Sequence, residues 1–184
     1  EKVIVLAPQN RRTGAAAEAT AVLGLMDEFM AAHPEVDANR LYFSTVSYGS
    51  TTAWAAMQQR PEFFAAGLLT GGFAVSTAQA TAIATARPLT PIYITHGIYD
   101  HLLNVATTGR VSRDRLRTAY MNTGLVDAAG AEALIPYEEY DTPAFFNQVV
   151  PQVPGYAEPD NHAVMGPTYT DTSKLLWLLS QVKP

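Results

Sequence analysis

The stretch LYFSTVSYGSTTAW, Leu41–Trp54, runs from a short apolar and β-branched segment directly into a helix-like segment. Ser47 and Gly49 lie at the bend between the two segments. A serine at a tight strand-to-helix turn has its hydroxyl exposed above the sheet, and G-x-S-x-G is the usual pattern of such a turn. Here the five residues read TVSYG, with Thr45 at the first glycine position. Taken alone, they favour the simpler interpretation, a serine that caps a helix.

Composition narrows the classes of protein to consider. A chain of 184 residues suits one domain, residues 1–184, with a sizeable core. The net charge of -5 and the lack of a Lys/Arg run argue against nucleic-acid binding. The chain has no cysteine, which excludes disulfides, thiol nucleophiles and Cys-based zinc sites. No apolar run approaches the roughly 20 residues of a membrane span. Because the chain starts at Glu1 rather than Met, we expect that upstream sequence was removed. We expect the protein to be secreted or periplasmic, although the sequence given shows no signal peptide.

The remaining patterns predict an alternation of strands and helices. Strands are predicted at Val3–Pro8, Leu41–Val46, Phe64–Thr70, Pro91–Gly97 and Glu132–Tyr140, the last at a sheet edge because of its proline. Helices are predicted at Ala15–His33, Gly49–Gln59, Ser76–Ala86, Val111–Met121 and Thr172–Val182. Such alternation predicts an α/β fold, a mostly parallel sheet with helices on both faces.

Polar residues follow three of these strands, at the end of the sheet where functional groups gather. Ser47 follows the second strand, Asp100 follows the fourth, and His162 ends the irregular segment after the fifth. His96 and His101 share the loop of Asp100, which leaves His162 as the best candidate base. A serine hydroxyl becomes nucleophilic when a base takes its proton, and the imidazole base needs an acid that holds its tautomer. The chain order of serine, acid and histidine is that of the α/β-hydrolase triad.

The motifs around these residues resemble a known family. They are Val36–Gly72, which contains VDANRLYFSTVSYG and RPEFFAAGLLTGG, then PIYITHGIYD at Pro91–Asp100, NHAVMG at 161–166, and LLWLLSQVK at Leu175–Lys183. The chain is similar to α/β-hydrolase serine esterases, closest to the predicted-peptidase branch related to dienelactone hydrolases and polyhydroxybutyrate depolymerases. The resemblance spans nearly the whole chain.

The resemblance implies a role for each residue that matches. It assigns the nucleophile to Ser47, the acid to Asp100 and the base to His162, with the backbone N–H of Tyr48 as one donor of the oxyanion hole. For the acid, Asp127 and Asp141 remain alternatives, and Asp160 is a further possible partner of His162. The aromatic residues Phe145, Phe146 and Tyr156 lie in the Pro-rich segment before the histidine, where a substrate-binding wall is expected.

The expected activity is hydrolysis of carboxylic esters through an acyl-enzyme, on a small-molecule or polymeric substrate. It requires no metal and no cofactor. A serine peptidase or a polyester depolymerase with the same triad is the alternative within enzymes. Thr45, Ser50 and Asn104 depart from the family pattern, and the first two support a second class, a non-catalytic binding module with a decayed elbow.

The first predicted strand raises a question of completeness. VIVLAPQN resembles the family strand that is not adjacent to the nucleophile strand, which implies that a strand is lacking between Val3–Pro8 and Leu41–Val46. An N-terminal segment or a second chain is then expected to fill the sheet and to supply the second oxyanion donor. Alternatively, Val3–Pro8 is itself the neighbouring strand, and Pro8–Gly14 is the oxyanion loop.

Overall fold

A computed structural model describes residues 3–9, 13–141, 162 and 164–183. Within them, the strands are β1 Tyr42–Val46, β2 Ala66–Thr70, β3 Ile92–Gly97 and β4 Tyr137–Tyr140. The helices are α1 Ala15–Ala32, α2 Gly49–Gln59, α3 Thr77–Ile83, α4 Gly109–Met121, α5 Ala128–Leu134, α6 Met165–Thr170 and α7 Thr172–Ser180. The two elements that flank the TVSYG bend therefore lie where the sequence predicts them.

The four strands form one parallel sheet in the order β1-β2-β3-β4. Each strand is connected to the next by at least one helix, as parallel neighbours require. The order places the end of β1, with its serine, at one side of the sheet and β4 at the opposite edge among the described strands. Among the described strands, β4 thus has the edge position predicted from Pro136.

Helices cover both faces of this sheet. On one face, Phe43, Leu69 and Ile94 pack in a large core with side chains of α1 to α5. On the other face, Ala66 and Leu68 pack against Leu178 of α7, because successive residues of a strand point to opposite faces. The predicted fold class is therefore confirmed, and the carboxyl ends of β1, β2 and β3 point to one edge of the molecule.

Two predictions of secondary structure are wrong. Residues 3–9 form no strand, and Val3, Ile4 and Val5 are 55%, 54% and 79% exposed, since no described strand lies beside them. The predicted strand Glu132–Tyr140 begins only at Tyr137, because its first residues complete helix α5. That helix is capped at its start by the Asp127 carboxylate, a local signal that outweighs the apolar run after it.

Candidate active site

The bend after β1 is a strained elbow. Ser47 has φ 52, and among the described residues it is the sole non-glycine residue with a positive φ. Residues other than glycine rarely adopt this left-handed conformation, and where they do, the surrounding structure must hold them there. Thr45 fits before the elbow because Gly49 has no side chain: a Cβ on Gly49 would lie 3.3 Å from the Thr45 Cβ. TVSYG therefore builds a strand, an elbow and a helix despite its missing first glycine.

A chain of two hydrogen bonds starts at this elbow. The Ser47 Oγ lies 2.7 Å from the His162 Nε2, and the His162 Nδ1 lies 2.8 Å from the Asp100 Oδ2. A carboxylate only accepts, so Nδ1 carries the proton and Nε2 presents its lone pair to the serine hydroxyl. The three residues that the strand-end pattern selected are thus brought together in the order in which a nucleophile, a base and an acid act.

Asp100 is buried, and its carboxylate accepts from several donors. Oδ1 accepts from the backbone N–H groups of Leu102 at 2.9 Å and Leu103 at 2.8 Å, while Oδ2 faces both His162 and His96. Burial alone raises the pKa of Asp100, but hydrogen bonds from His96, His162 and the backbone of Leu103 outweigh it and lower the pKa to about 2. The carboxylate is therefore ionised throughout the neutral range and holds the His162 tautomer.

His96 is a contact of Asp100 that sequence reasoning did not assign. It is fully buried at the end of β3. Its Nε2 lies 2.8 Å from the carbonyl oxygen of Leu103 and 3.3 Å from the Asp100 Oδ2, so Nε2 carries a proton and donates. The spacing of four residues in HGIYD was the available signal. A Cβ on Gly109 would lie 2.9 Å from this ring, which leaves glycine as the residue that fits there.

The other candidates for the acid lie elsewhere or outside the described residues. Asp127 caps α5 by accepting from the Gly130 N–H at 2.8 Å, and Asp141 is exposed just after β4. Asp160 and the proposed wall residues, Phe145, Phe146 and Tyr156, lie outside the described residues, as do residues 10–12 of the alternative oxyanion loop.

Apolar side chains that sequence reasoning did not select lie next to the elbow. The rings of Tyr48 and Phe73 meet edge to face, with centroids 6.3 Å apart. Phe73 is 39% exposed, and Leu102, two residues after Asp100, is 68% exposed. The signal for Phe73 was its position directly after the Gly71-Gly72 pair at the end of β2. Tyr48 and Phe73 therefore place apolar surface beside the elbow, and Leu102 exposes an apolar side chain in the loop of Asp100.

Among the described residues, no group of three or more His, Asp or Glu side chains is arranged to hold a metal ion. None of the described helices combines the length and the hydropathy needed to cross a membrane.

The fold of this chain is similar to that of solved structures. The crystal structure of a thermostable esterase superposes on 89% of this chain with a TM-score of 0.66 at 23% sequence identity. The chain has an α/β-hydrolase fold. A variant of SOBER1 from Arabidopsis thaliana shares this α/β-hydrolase fold, with a TM-score of 0.52 over 72% of the chain at 15% identity. The chain spans 36% of the length of the esterase and 57% of that of SOBER1.

At the level of sequence, no model of a known family and no curated protein matches the chain. The assignment of the α/β-hydrolase fold therefore rests on the arrangement of strands, helices and elbow.

Proposed function

We propose that this protein is a serine hydrolase that cleaves carboxylic esters through an acyl-enzyme intermediate. The observation that carries the proposal is the hydrogen-bonded chain from Ser47 through His162 to Asp100, with the serine on a strained elbow. A strained elbow that keeps a serine in reach of an imidazole has a cost in stability, and such costs cluster at functional sites. A serine that merely capped a helix would need neither the histidine nor the positive φ.

The geometry suggests the following steps. The Ser47 Oγ attacks the ester carbonyl carbon while the His162 Nε2 takes the hydroxyl proton, and the carbonyl oxygen becomes an oxyanion. The N–H of Tyr48, at the start of α2, is proposed to donate to this oxyanion. The intermediate then collapses, the bond to the alcohol oxygen breaks, and His162 returns its proton to the leaving alcohol. Water repeats the sequence on the acyl-enzyme and releases the acid and Ser47, so that no metal or cofactor is consumed or required.

The apolar surface near the elbow favours esters with apolar groups. Tyr48 and Phe73 form an edge-to-face pair next to the serine, and Leu102 is exposed beside the acid. Apolar walls with a few polar groups are typical of sites that bind small organic substrates. A peptidase or a polyester depolymerase would use the same three residues, and the length of the acceptable substrate separates them. A polymeric substrate would also agree with a secreted or periplasmic location, since polymers do not cross a cell membrane.

The experiment is active-site labelling combined with ester turnover in the full protein. A fluorophosphonate should label Ser47, and Ser47→Ala should abolish the label and lower kcat for a p-nitrophenyl ester by at least about three orders of magnitude. Ser44→Ala is the matched control, because Ser44 lies on β1, which leads into the elbow, and its hydroxyl contacts the Tyr169 hydroxyl at 2.6 Å. This control should keep both label and turnover.

Two outcomes would reject the proposal. If the folded wild-type protein takes no label and hydrolyses no ester, the chain is a binding module with the α/β-hydrolase fold. If Ser47→Ala retains most of the turnover, another residue is the nucleophile.

A further inference from the structure

Ser50, in the first turn of α2, has a hydroxyl with two partners. The side chain is fully buried. Its Oγ–H donates to the carbonyl oxygen of Ser47 at 2.8 Å, and its Oγ accepts from the backbone N–H of Phe73 at 2.8 Å. The neighbouring Thr51 makes a bond of the first kind, to the carbonyl oxygen of Tyr48. The hydroxyl of Ser50 thus joins the elbow to the loop that follows β2.

The carbonyl that Ser50 holds shares a peptide group with the proposed oxyanion donor. The carbonyl of Ser47 and the N–H of Tyr48 lie in one planar trans unit, in which C=O and N–H point in opposite directions. The Ser47 oxygen accepts from both the N–H of Ser50, at 3.1 Å, and the Ser50 hydroxyl. Two bonds from one residue therefore fix the plane, and with it the direction of the Tyr48 N–H. These two bonds matter because the left-handed φ of Ser47 is unfavourable without support.

The loop after β2 is held closely against Ser50. A Cβ on Gly72 would lie 2.6 Å from the Ser50 Cβ, so the glycine lets the two backbones approach. The carbonyl of Phe73 accepts from the buried Trp54 Nε1 at 3.0 Å, which fastens the same residue to α2 a second time. The Ser50 Oγ therefore accepts from an N–H whose residue is held in place. Its own proton is donated to the Ser47 carbonyl oxygen.

We infer that Ser50 is a positioning residue for the oxyanion site: its hydroxyl sets the peptide plane from which the Tyr48 N–H donates. The inference rests on the proposed function. From the sequence alone, Ser50, which replaces a glycine of the family pattern, favours a decayed elbow. On this inference, Ser50 instead supports the elbow. Loss of the hydroxyl leaves the plane held by the Ser50 N–H alone and removes the partner of the Phe73 N–H, while Ser47, His162 and Asp100 keep their own bonds.

Ser50→Ala in the full protein tests this inference. We expect kcat for a p-nitrophenyl ester to fall about tenfold, less than the loss of a whole oxyanion donor, because the donor is misdirected and not removed. KM and the pH at which kcat/KM is half-maximal should not change, since the histidine and the acid are untouched. The rate of fluorophosphonate labelling should fall by the same factor as kcat/KM. Ser180→Ala is the control, because the Ser180 hydroxyl makes the same type of bond, to the Trp177 carbonyl at 2.7 Å, at the far end of α7.

A second variant separates loss of the hydrogen bonds from misfolding. Ser50→Cys nearly conserves volume but offers a weak donor and acceptor, so its kcat should also fall while its thermal unfolding stays close to that of the wild type. If the wild type labels and turns over ester but Ser50→Ala and Ser50→Cys keep kcat within twofold, the inference is overturned and the proposed function stands. If the wild type shows no labelling, the proposed function itself has failed.

Discussion

At the scale of single residues, the Asp100 carboxylate links the chemistry of the site to its stability. It is buried, and it accepts from two backbone N–H groups and from the ring nitrogens of His96 and His162. These partners lower its pKa to about 2 against the opposing effect of burial. A buried carboxylate with a lowered pKa stabilises the fold only while it is ionised.

The pH dependence of unfolding follows from the lowered pKa of Asp100. The folded pKa lies below the unfolded value of about 3.9, so the stabilisation is complete above about pH 4 and is lost as the pH falls toward about 2. At 1.36 kcal/mol per pKa unit, the difference is worth about 2–3 kcal/mol. Urea unfolding of the wild type and Asp100→Asn should therefore differ most above pH 4, and the two curves should converge near pH 2.

Turnover by the same variant tests the choice of acid. The amide of Asp100→Asn would donate to the His162 Nδ1, which places the imidazole proton on Nε2 and prevents that nitrogen from accepting the serine proton. Asp141→Asn, exposed after β4, should retain turnover. A parallel pair of unfolding curves at all pH values, or a damaging Asp141→Asn, would contradict the role given to Asp100.

At the scale of elements, the pairing of β1 with β2 depends on one glycine. Gly67 is the register partner of Phe43, and the ring of Phe43 covers the glycine so closely that a Cβ on Gly67 would overlap it. The same ring meets that of Phe64 edge to face, with centroids 5.2 Å apart, so it has little freedom to move aside. This contact holds the strand that carries the elbow against the strand that precedes Gly71.

Gly67→Ala should therefore destabilise the protein by about 1–3 kcal/mol, the usual cost of overpacking a core. Denaturant unfolding measures the change. The control is Gly24→Ala, in the middle of α1, where a Cβ meets no atom within 4 Å among the described residues. That substitution should stabilise the helix by up to about 1 kcal/mol, since alanine is the better helix former. Equal effects of both substitutions would show that the Phe43 ring relaxes freely.

At the scale of the whole molecule, β1 has helices on both of its faces and, among the described residues, one open edge. Phe43 packs in the large core on one face, and on the other the hydroxyl of Tyr42 donates to the carbonyl of Gln181 at 2.6 Å. Yet β1 is the last strand of the sheet among the described residues. An edge strand leaves a row of backbone N–H and C=O groups available for pairing, and β1 is only half-buried whereas all of β2 is buried. We propose that a further strand, from an N-terminal segment or a second chain, pairs with this edge.

The amides that would pair with such a strand can be named. The Ser47 N–H donates to the Thr70 carbonyl, and the Leu41 carbonyl accepts from Ala65. Backbone groups alternate in direction along a strand, so Ser44 and Val46 direct their N–H groups to the open edge.

Hydrogen exchange in the full protein tests the proposal. We expect the Ser44 and Val46 amides to exchange as slowly as that of Thr45, which faces β2. Fast exchange at these two amides beside slow exchange at Thr45 would show that β1 is a true edge.

The strand and the helix that flank Ser47, and the mostly parallel sheet, were predictable from the sequence. Both depend on local signals, namely hydrophobic period, turn residues and the right-handed crossover, which act over a few residues or one connection. The boundaries of α2 were predicted without error, because Gly49 and Pro61 mark its ends. Segments without a partner were predicted less well: the apolar run Val3–Pro8 has the composition of a strand, but a strand requires a neighbour.

The sequence by itself determined which residue types stand at the strand ends, and in which order. Only the tertiary structure decided that His162, 115 residues after Ser47, lies within a hydrogen bond of it, and that Asp100 rather than Asp127 or Asp141 holds that histidine. The role of Ser50 was also decided by the tertiary structure. The sequence shows only that Ser50 departs from a family pattern, and the fold brings the N–H of Phe73 from another loop to its hydroxyl. The physical reason is one of range. Periodicity and turn chemistry are properties of neighbouring residues, whereas hydrogen-bond partners at a site are set by how separate strands and loops pack in space.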